Sequence, residues 1–311
     1  MQRQLDMQVA RASEGYSPTV EIALLGVLAT LWGASYTFIK LAVATIPPVT
    51  AMAARTTIAG ALLLLVLRWR RLSLPLDRAT WLKFGRQSML NSAVPFTLIA
   101  WGEQTVDAAL ATILNATSPV FAFLMTWAIT RHEPTSLRLA LGVASGILGV
   151  GLIVGAQAVH GLGSNLIGQL AIVAATLCYA GAAIAGKTFA GHNPLIPATG
   201  SLICSACMLV PVSLVIDRPW TLVPSEASML ALLALSVFST ALAFVIYFRL
   251  IVTLGSVGAT AQAYLRVPIG VFIGVLFLGE RLAPSAWIGL ACVAAGVAAM
   301  TLPKRPAAVT A

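Results

Sequence analysis

Apolar runs of roughly helical-span length, separated by clusters of glycine, proline and charge, occupy most of the chain. They fall near 20–44, 49–67, 82–103, 107–130 and 137–156, and then near 165–187, 194–216, 227–249, 256–278 and 284–302. A helix rising about 1.5 Å per residue needs roughly 20 residues to cross ~30 Å of hydrocarbon. The pattern therefore predicts an all-α membrane protein of ten transmembrane helices joined by short loops. No extramembrane domain fits between them. Residues 1–18 lack an apolar run of signal-peptide length and read as a short tail, as do residues 303–311.

Composition supports the same solvent. Hydrophobic residues make up 59% of the 311 and charged residues 9%, against about 25% charged in soluble domains. A chain of this size cannot bury that much apolar surface in a water-soluble core. The formal charge of +9 is unevenly placed. Arg68, Arg70, Arg71 and Arg78 follow the second span, Arg131 and Arg138 flank the turn after the fourth, and Lys304 and Arg305 follow the tenth. Because cytoplasmic loops carry the Lys and Arg excess, both termini are predicted to be cytoplasmic. The basic charge then reports topology and calls for no nucleic-acid partner.

A constant offset of 147 residues superimposes several distinctive positions: Lys40 on Lys187, Pro47 on Pro194, Glu133 on Glu280, Gly142 on Gly289 and Gly149 on Gly296. Trp32 falls on Tyr179 in the same register. The register slips between Pro119 and Glu133, 14 residues apart, and Pro268 and Glu280, 12 apart. With five helices per half, the second half enters the membrane from the opposite side. The predicted fold is thus two inverted five-helix repeats, a device of secondary transporters that alternate access around a midplane site.

The segments that carry this duplication resemble a known family. WGASYTFIKLA (32–42), AARTTIAGALLLL (53–65), NATSPVFAFLMTW (115–127), and the paired RHEPTSLRLALGVASGILGVGLIV (131–154) and LGERLAPSAWIGLACVAAGV (278–297) are similar to the EamA domains of the drug/metabolite transporter superfamily. The resemblance spans both halves, 19–156 and 165–302, and is strongest to the YddG-like exporters of aromatic or neutral amino acids. It implies a central substrate cavity and export of amino acids or other small metabolites across a bacterial inner membrane. Two positions depart from the family pattern. His132-Glu133 stands where the second half keeps Gly279-Glu280, and Arg266 takes a normally small or polar position before Pro268.

Ionisable groups inside hydrocarbon cost about 3 kcal/mol on insertion scales, so they are read first as functional. Arg266, about ten residues into its span, is expected to line the cavity. Lys40 and Arg55 lie nearer the outer surface, where snorkelling competes with a cavity role. Asn91, Asn115 and Gln262 join the candidates because an amide in hydrocarbon needs a partner, although helix-to-helix bonding also satisfies one. Ser118, Trp32, Tyr36, Tyr179 and Tyr264 complete the cavity set, with core packing as the alternative for each aromatic. Trp101 is included too, with an interfacial-belt position as its alternative. Pro95, Pro119 and Pro268 interrupt spans and mark either kinks or hinges.

Glu21, Glu103, Asp107, Glu133 and Glu280 all read as span-end residues, leaving no buried carboxylate relay. The expectation is uncoupled carriage of a carboxylate-bearing substrate down its own gradient; export of drugs or other organic ions, proton-coupled, is the alternative. GAAIAGKT (181–188) satisfies a phosphate-loop pattern, but that pattern has meaning only between a strand and a helix. No nucleotide is expected. The four cysteines lack partners for a zinc site, and Cys204-x-x-Cys207 reads as two small helix residues. His132, His160 and His192 fall in connections without a catalytic or metal constellation, and no channel filter motif is found. The chain is accordingly expected to be a carrier and not an enzyme, with no cofactor or metal. Its partners are a small-molecule substrate and membrane lipids, and it is expected to act as a monomer.

Overall fold

A computed structural model describes residues 17–118, 120–122, 124–125, 137–159, 163–189, 191–247, 249–250, 253 and 262–301. They are mostly helical, with short connections and no strand among them. The helices are α1 (Pro18–Ala42), α2 (Pro48–Trp69), α3 (Arg78–Ser88, a π-helical turn Met89–Ala93, then Val94–Gly102) and α4 (Ala108–Asn115). Then come α5 (Leu137–Val159), α6 (Gly163–Gly186) and α7 (Leu195–Ile216). α8 runs through Glu226–Ser236 and a π-helical turn Val237–Leu242 to Tyr247. α9 (Gln262–Leu278) and α10 (Pro284–Thr301) complete the bundle.

Five of these helices, α1, α2, α6, α7 and α8, are long and apolar enough to cross a bilayer, and shorter apolar stretches lie in α4, α5, α9 and α10. In α3 the first two turns carry Arg78, Lys83 and Arg86, which keep that half of the helix polar. Helix starts follow local chemistry. Proline opens α1, α2 and α10, where the missing N–H is no loss. Asp77 caps α3 by accepting the backbone N–H of Thr80 at 2.8 Å, and that bond holds its carboxyl below the usual carboxylate range. Pro95 explains the π-turn in α3: it cannot donate to the Asn91 carbonyl, and the helix widens just before it.

The molecule carries large apolar side chains outside and polar side chains within its apolar core. Leu65, Val215, Phe272 and Phe277 are among the large side chains exposed on the surface, which is natural only in lipid. Thr56, Thr112, Thr199 and Ser236 are buried, each donating to a carbonyl one turn back in its own helix. That local bond satisfies a hydroxyl where no water is at hand.

Helices pair as α1 with α8 and α9, α2 with α7, α3 with α6, and α5 with α10. Shifted by 147 residues, the bounds of α2 become those of α7, and the π-turn of α3 falls on 236–240, beside the π-turn of α8. Contacts recur under the same shift. A Cβ on Gly149 would meet the Gly289 carbonyl, and one on Gly296 the Gly142 carbonyl. Ser145 donates to the carbonyl of Cys292, 147 residues on, at 2.8 Å. Gly102 abuts Gly168, and the positions related to these two by the shift, Arg249 and Glu21, form an ion pair at 2.7 Å.

The α5–α10 crossing tolerates no side chain at its glycines, because the obstacles are backbone atoms at 2.7 Å for Gly149 and 2.5 Å for Gly296. Gly149→Val and Gly296→Val are each expected to cost about 1–3 kcal/mol through overpacking. Gly151→Ala, with nothing within 4 Å of its Cβ, is expected to be neutral. Thermal unfolding of the three variants in detergent checks the contrast.

Candidate functional site

Arg55 projects from α2 into the bundle and is only 5% exposed. Its Nε donates to the Thr240 hydroxyl at 2.9 Å, its Nη1 faces the Met52 sulfur at 3.9 Å, and its guanidinium lies 3.8 Å over the ring of Phe96. Thr240 belongs to the π-turn of α8, and Phe96 follows the π-turn of α3. The wide turns bring both groups to the guanidinium, and Thr240 turns its own proton to the Leu235 carbonyl at 2.8 Å. Among the described residues no carboxylate oxygen lies within ion-pair distance of Arg55.

Around this cation the structure gathers several residues singled out in the sequence. Tyr36 on α1 and Tyr179 on α6 lie within electrostatic reach of both Arg55 and Arg266, and the Asn115 amide lies beside the Tyr36 hydroxyl. Arg266, half-buried on α9, has a buried Nε without a partner. Asn115 and Gln262 are buried, and each has a side-chain oxygen with no donor. A desolvated polar atom left unbonded costs about 1–3 kcal/mol. Two guanidinium groups, two phenols and the Asn115 amide, on five helices, therefore form a polar, electropositive interior with spare bonding capacity.

Other candidates sit elsewhere. Lys40, half-buried at the end of α1, donates to the carbonyls of Glu103 and Val106 at 2.8 Å each, capping the end of α3. Ser118 donates to the Asn115 carbonyl at 2.7 Å, a bond within its own turn. Trp32 packs on Phe244 and Tyr247 with centroids 6.3 and 5.2 Å away. Trp101 is 46% exposed on the outer surface. Asn91 is half-buried on the π-turn of α3. Tyr264 lies within α9, with its side chain outside the described residues. Pro95 is buried behind that π-turn and Pro268 stands exposed inside α9, whereas Pro119, Glu133, His132 and His160 lie outside the described residues. An apolar crevice of about 500 Å³ between Thr117, Phe121, Gly146 and Leu170 contains none of the polar candidates.

Two of the span-end carboxylates are buried. Glu21 is 1% exposed and paired with Arg249, and Glu103 is fully buried. The short connection after α3 folds back beneath Lys40, with Val106 bonding to the Gly102 carbonyl at 2.9 Å, and this carries Glu103 inside. Thr240 and Phe96 were also missed. No apolar-run analysis reports a π-turn, which is what turns an ordinary threonine toward the site.

At the end of the bundle where α1, α3, α7 and α9 finish, polar contacts close the structure. The Glu280 carboxylate accepts the N–H groups of Ala108 and Ala109, at 2.7 and 2.8 Å, on the first turn of α4, where a helix carries partial positive charge. Asp217 accepts from the backbone N and hydroxyl of Thr50 at 3.0 and 2.8 Å. Ser228 donates to the Leu41 carbonyl at 2.7 Å. At the opposite end Glu21 holds Arg249 and accepts from Thr253 at 2.8 Å.

The sequence pattern of the EamA-like transporter family matches residues 20–155 and again residues 166–302. The chain belongs to that family, and it is a multi-pass membrane protein of the transporter class. It is 25% identical over 277 residues to the uncharacterized inner membrane transporter YedA of Escherichia coli (strain K12), covering 88% of each chain. It is 23% identical over 278 residues to the uncharacterized transporter YoaV of Bacillus subtilis (strain 168), covering 88% of this chain and 94% of that one. A solved crystal structure shares the fold with a TM-score of 0.63 at 18% identity, covering 92% of this chain and 98% of the other.

Removing the Glu280 carboxylate is expected to leave two helix-end N–H groups unbonded. Glu280→Ala should lose about 1.5–3 kcal/mol, the range for hydrogen bonds to a charged group. Glu280→Gln, which keeps an acceptor, should lose less. Thermal melting of the two variants, compared with wild type, tests the ordering.

Proposed function

We propose that this protein is an inner-membrane carrier that exports small carboxylate-bearing metabolites, foremost aromatic or neutral amino acids, by alternating access. The observation that carries the reading is Arg55, a buried guanidinium with a ring, a hydroxyl and a sulfur around it and no counter-ion among the described residues. Arg266 adds a second cation with an open donor. An unpaired buried charge is stable only as part of a larger arrangement, and a substrate carboxylate would complete this one through bidentate, charge-assisted bonds. A cationic drug as cargo would meet repulsion from both groups.

Ten spans in two inverted halves are part of the proposal. The shared bounds of α2 and α7 under the 147-residue shift support it, as do the paired π-turns. So do the reciprocal contacts of Gly149 with Gly289 and of Gly296 with Gly142. Reciprocal contacts of this kind are what a two-fold rotation produces. With both termini cytoplasmic, the end closed by Glu280 and Asp217 is the outer one, and the closed contacts there are the outer gate. Uncoupled transport was expected because every carboxylate read as a span-end residue, with no buried relay; the burial of Glu103 weakens that ground.

Purified protein in liposomes is expected to release preloaded labelled amino acids. Arg266→Ala and Arg55→Met should each reduce the apparent affinity roughly 10–100-fold, the equivalent of about 1.5–3 kcal/mol for a charge-assisted bond. A panel of labelled amino acids measured with wild type and both variants checks this. Flux unchanged in both variants would remove the site from the account.

A further inference from the structure

Glu103 is the buried charge-bearing group that the carboxylate site leaves unused. It is fully buried, and neither of its carboxyl oxygens has a hydrogen-bond donor. The charged groups within its reach are Lys40 on α1, Arg55 on α2 and Glu280 ahead of α10. Asp107 stands exposed later in the same connection. α6, which packs on α3 where Gly102 meets Gly168 and Ile172, contains no charged residue. Lys40 makes no ion pair with the carboxyl, and its ammonium donates to the carbonyls of Glu103 and Val106. Glu280 is equally engaged, on the first turn of α4.

The arrangement therefore has two ends of opposite character. Among the described residues Arg55 and Arg266 have no carboxylate within ion-pair distance, and Glu103, within electrostatic reach of Arg55 and of the Tyr36 hydroxyl, presents a carboxyl without donors. A zwitterion carries the complement of both. Resting on the proposed carboxylate reading, we infer that Glu103 receives the ammonium group of an amino-acid substrate and that a proton occupies its carboxyl when no substrate is bound. The two ligands compete for one group. As the substrate ammonium arrives, the proton on a Glu103 oxygen leaves to water and an ion pair forms, R–NH3+ against the carboxylate. When the substrate departs, a proton from water restores the neutral acid. Charge and atoms balance with no further reactant. Competition at a single carboxyl makes the carrier an exchanger of amino acid for proton, so an inward proton gradient drives export.

The decisive experiment is calorimetric titration of the detergent-solubilised full chain with phenylalanine, leucine and their des-amino analogues phenylpropionate and 4-methylpentanoate, repeated in buffers of different ionisation enthalpy. The amino acids are expected to release about one proton per molecule bound and the des-amino acids none. The analogues should also bind at least tenfold more weakly. Glu103→Gln should abolish the proton release and erase the preference for the amine, while keeping carboxylate binding. Wild type alone decides the matter if that variant does not fold. Equal binding of each acid and its des-amino analogue with no proton release would overturn the role of Glu103 and leave the arginine site standing. Absence of binding by either series would overturn both.

Discussion

A guanidinium held away from water without a carboxylate organises this structure. Around Arg55, α3 and α8 each widen by a π-turn, and the face of Phe96 lies on one side of it and the Thr240 hydroxyl on the other. These groups weaken the cost of burying the charge without neutralising it, since a cation over a ring gains about 0.5–2 kcal/mol while an ion pair would gain more. Removing either π-turn would separate the cation from its support. The residual positive character is what gives Tyr36, Tyr179, Asn115 and Arg266 a common purpose.

The helices around this charge meet a second constraint, which is that hydrocarbon supplies no hydrogen bonds. Every closure at the ends of the bundle is accordingly polar and specific. Glu280 covers the start of α4, Lys40 covers the finish of α3, and Asp217 covers the start of α2. The glycine crossing of α5 on α10 is of another kind, backbone against backbone. A transporter needs both kinds of contact, and here they are segregated by position.

Much of the architecture was legible because a bilayer imposes a simple length rule. The span expected at 49–67 lies within α2, Pro48–Trp69, and that expected at 194–216 matches α7, Leu195–Ile216. α3 begins earlier than the expected 82, at Arg78, because Asp77 caps it there and a hydropathy reading does not count the polar first turn. Among the candidates Arg55, Arg266, Tyr36, Tyr179 and Asn115 come together around one charge, while Lys40 and Ser118 spend their donors on main-chain carbonyls. Glu103 was misread for a physical reason: hydropathy locates the end of a helix but not the direction in which the following loop folds. Thr240 was invisible for a related one, since its role depends on an extra residue in a helical turn.

The central claim is that two guanidinium groups inside the bundle, Arg55 buried and Arg266 half-buried, wait for a carboxylate, and ligand-induced thermal stabilisation tests it most directly. Phenylalanine and leucine should raise the melting temperature of the detergent-solubilised protein in a concentration-dependent way, and their carboxamides, which keep the amine and lose the negative charge, should not. Equal stabilisation by acid and amide, or stabilisation undiminished in the double variant Arg55→Met, Arg266→Met, would contradict the account.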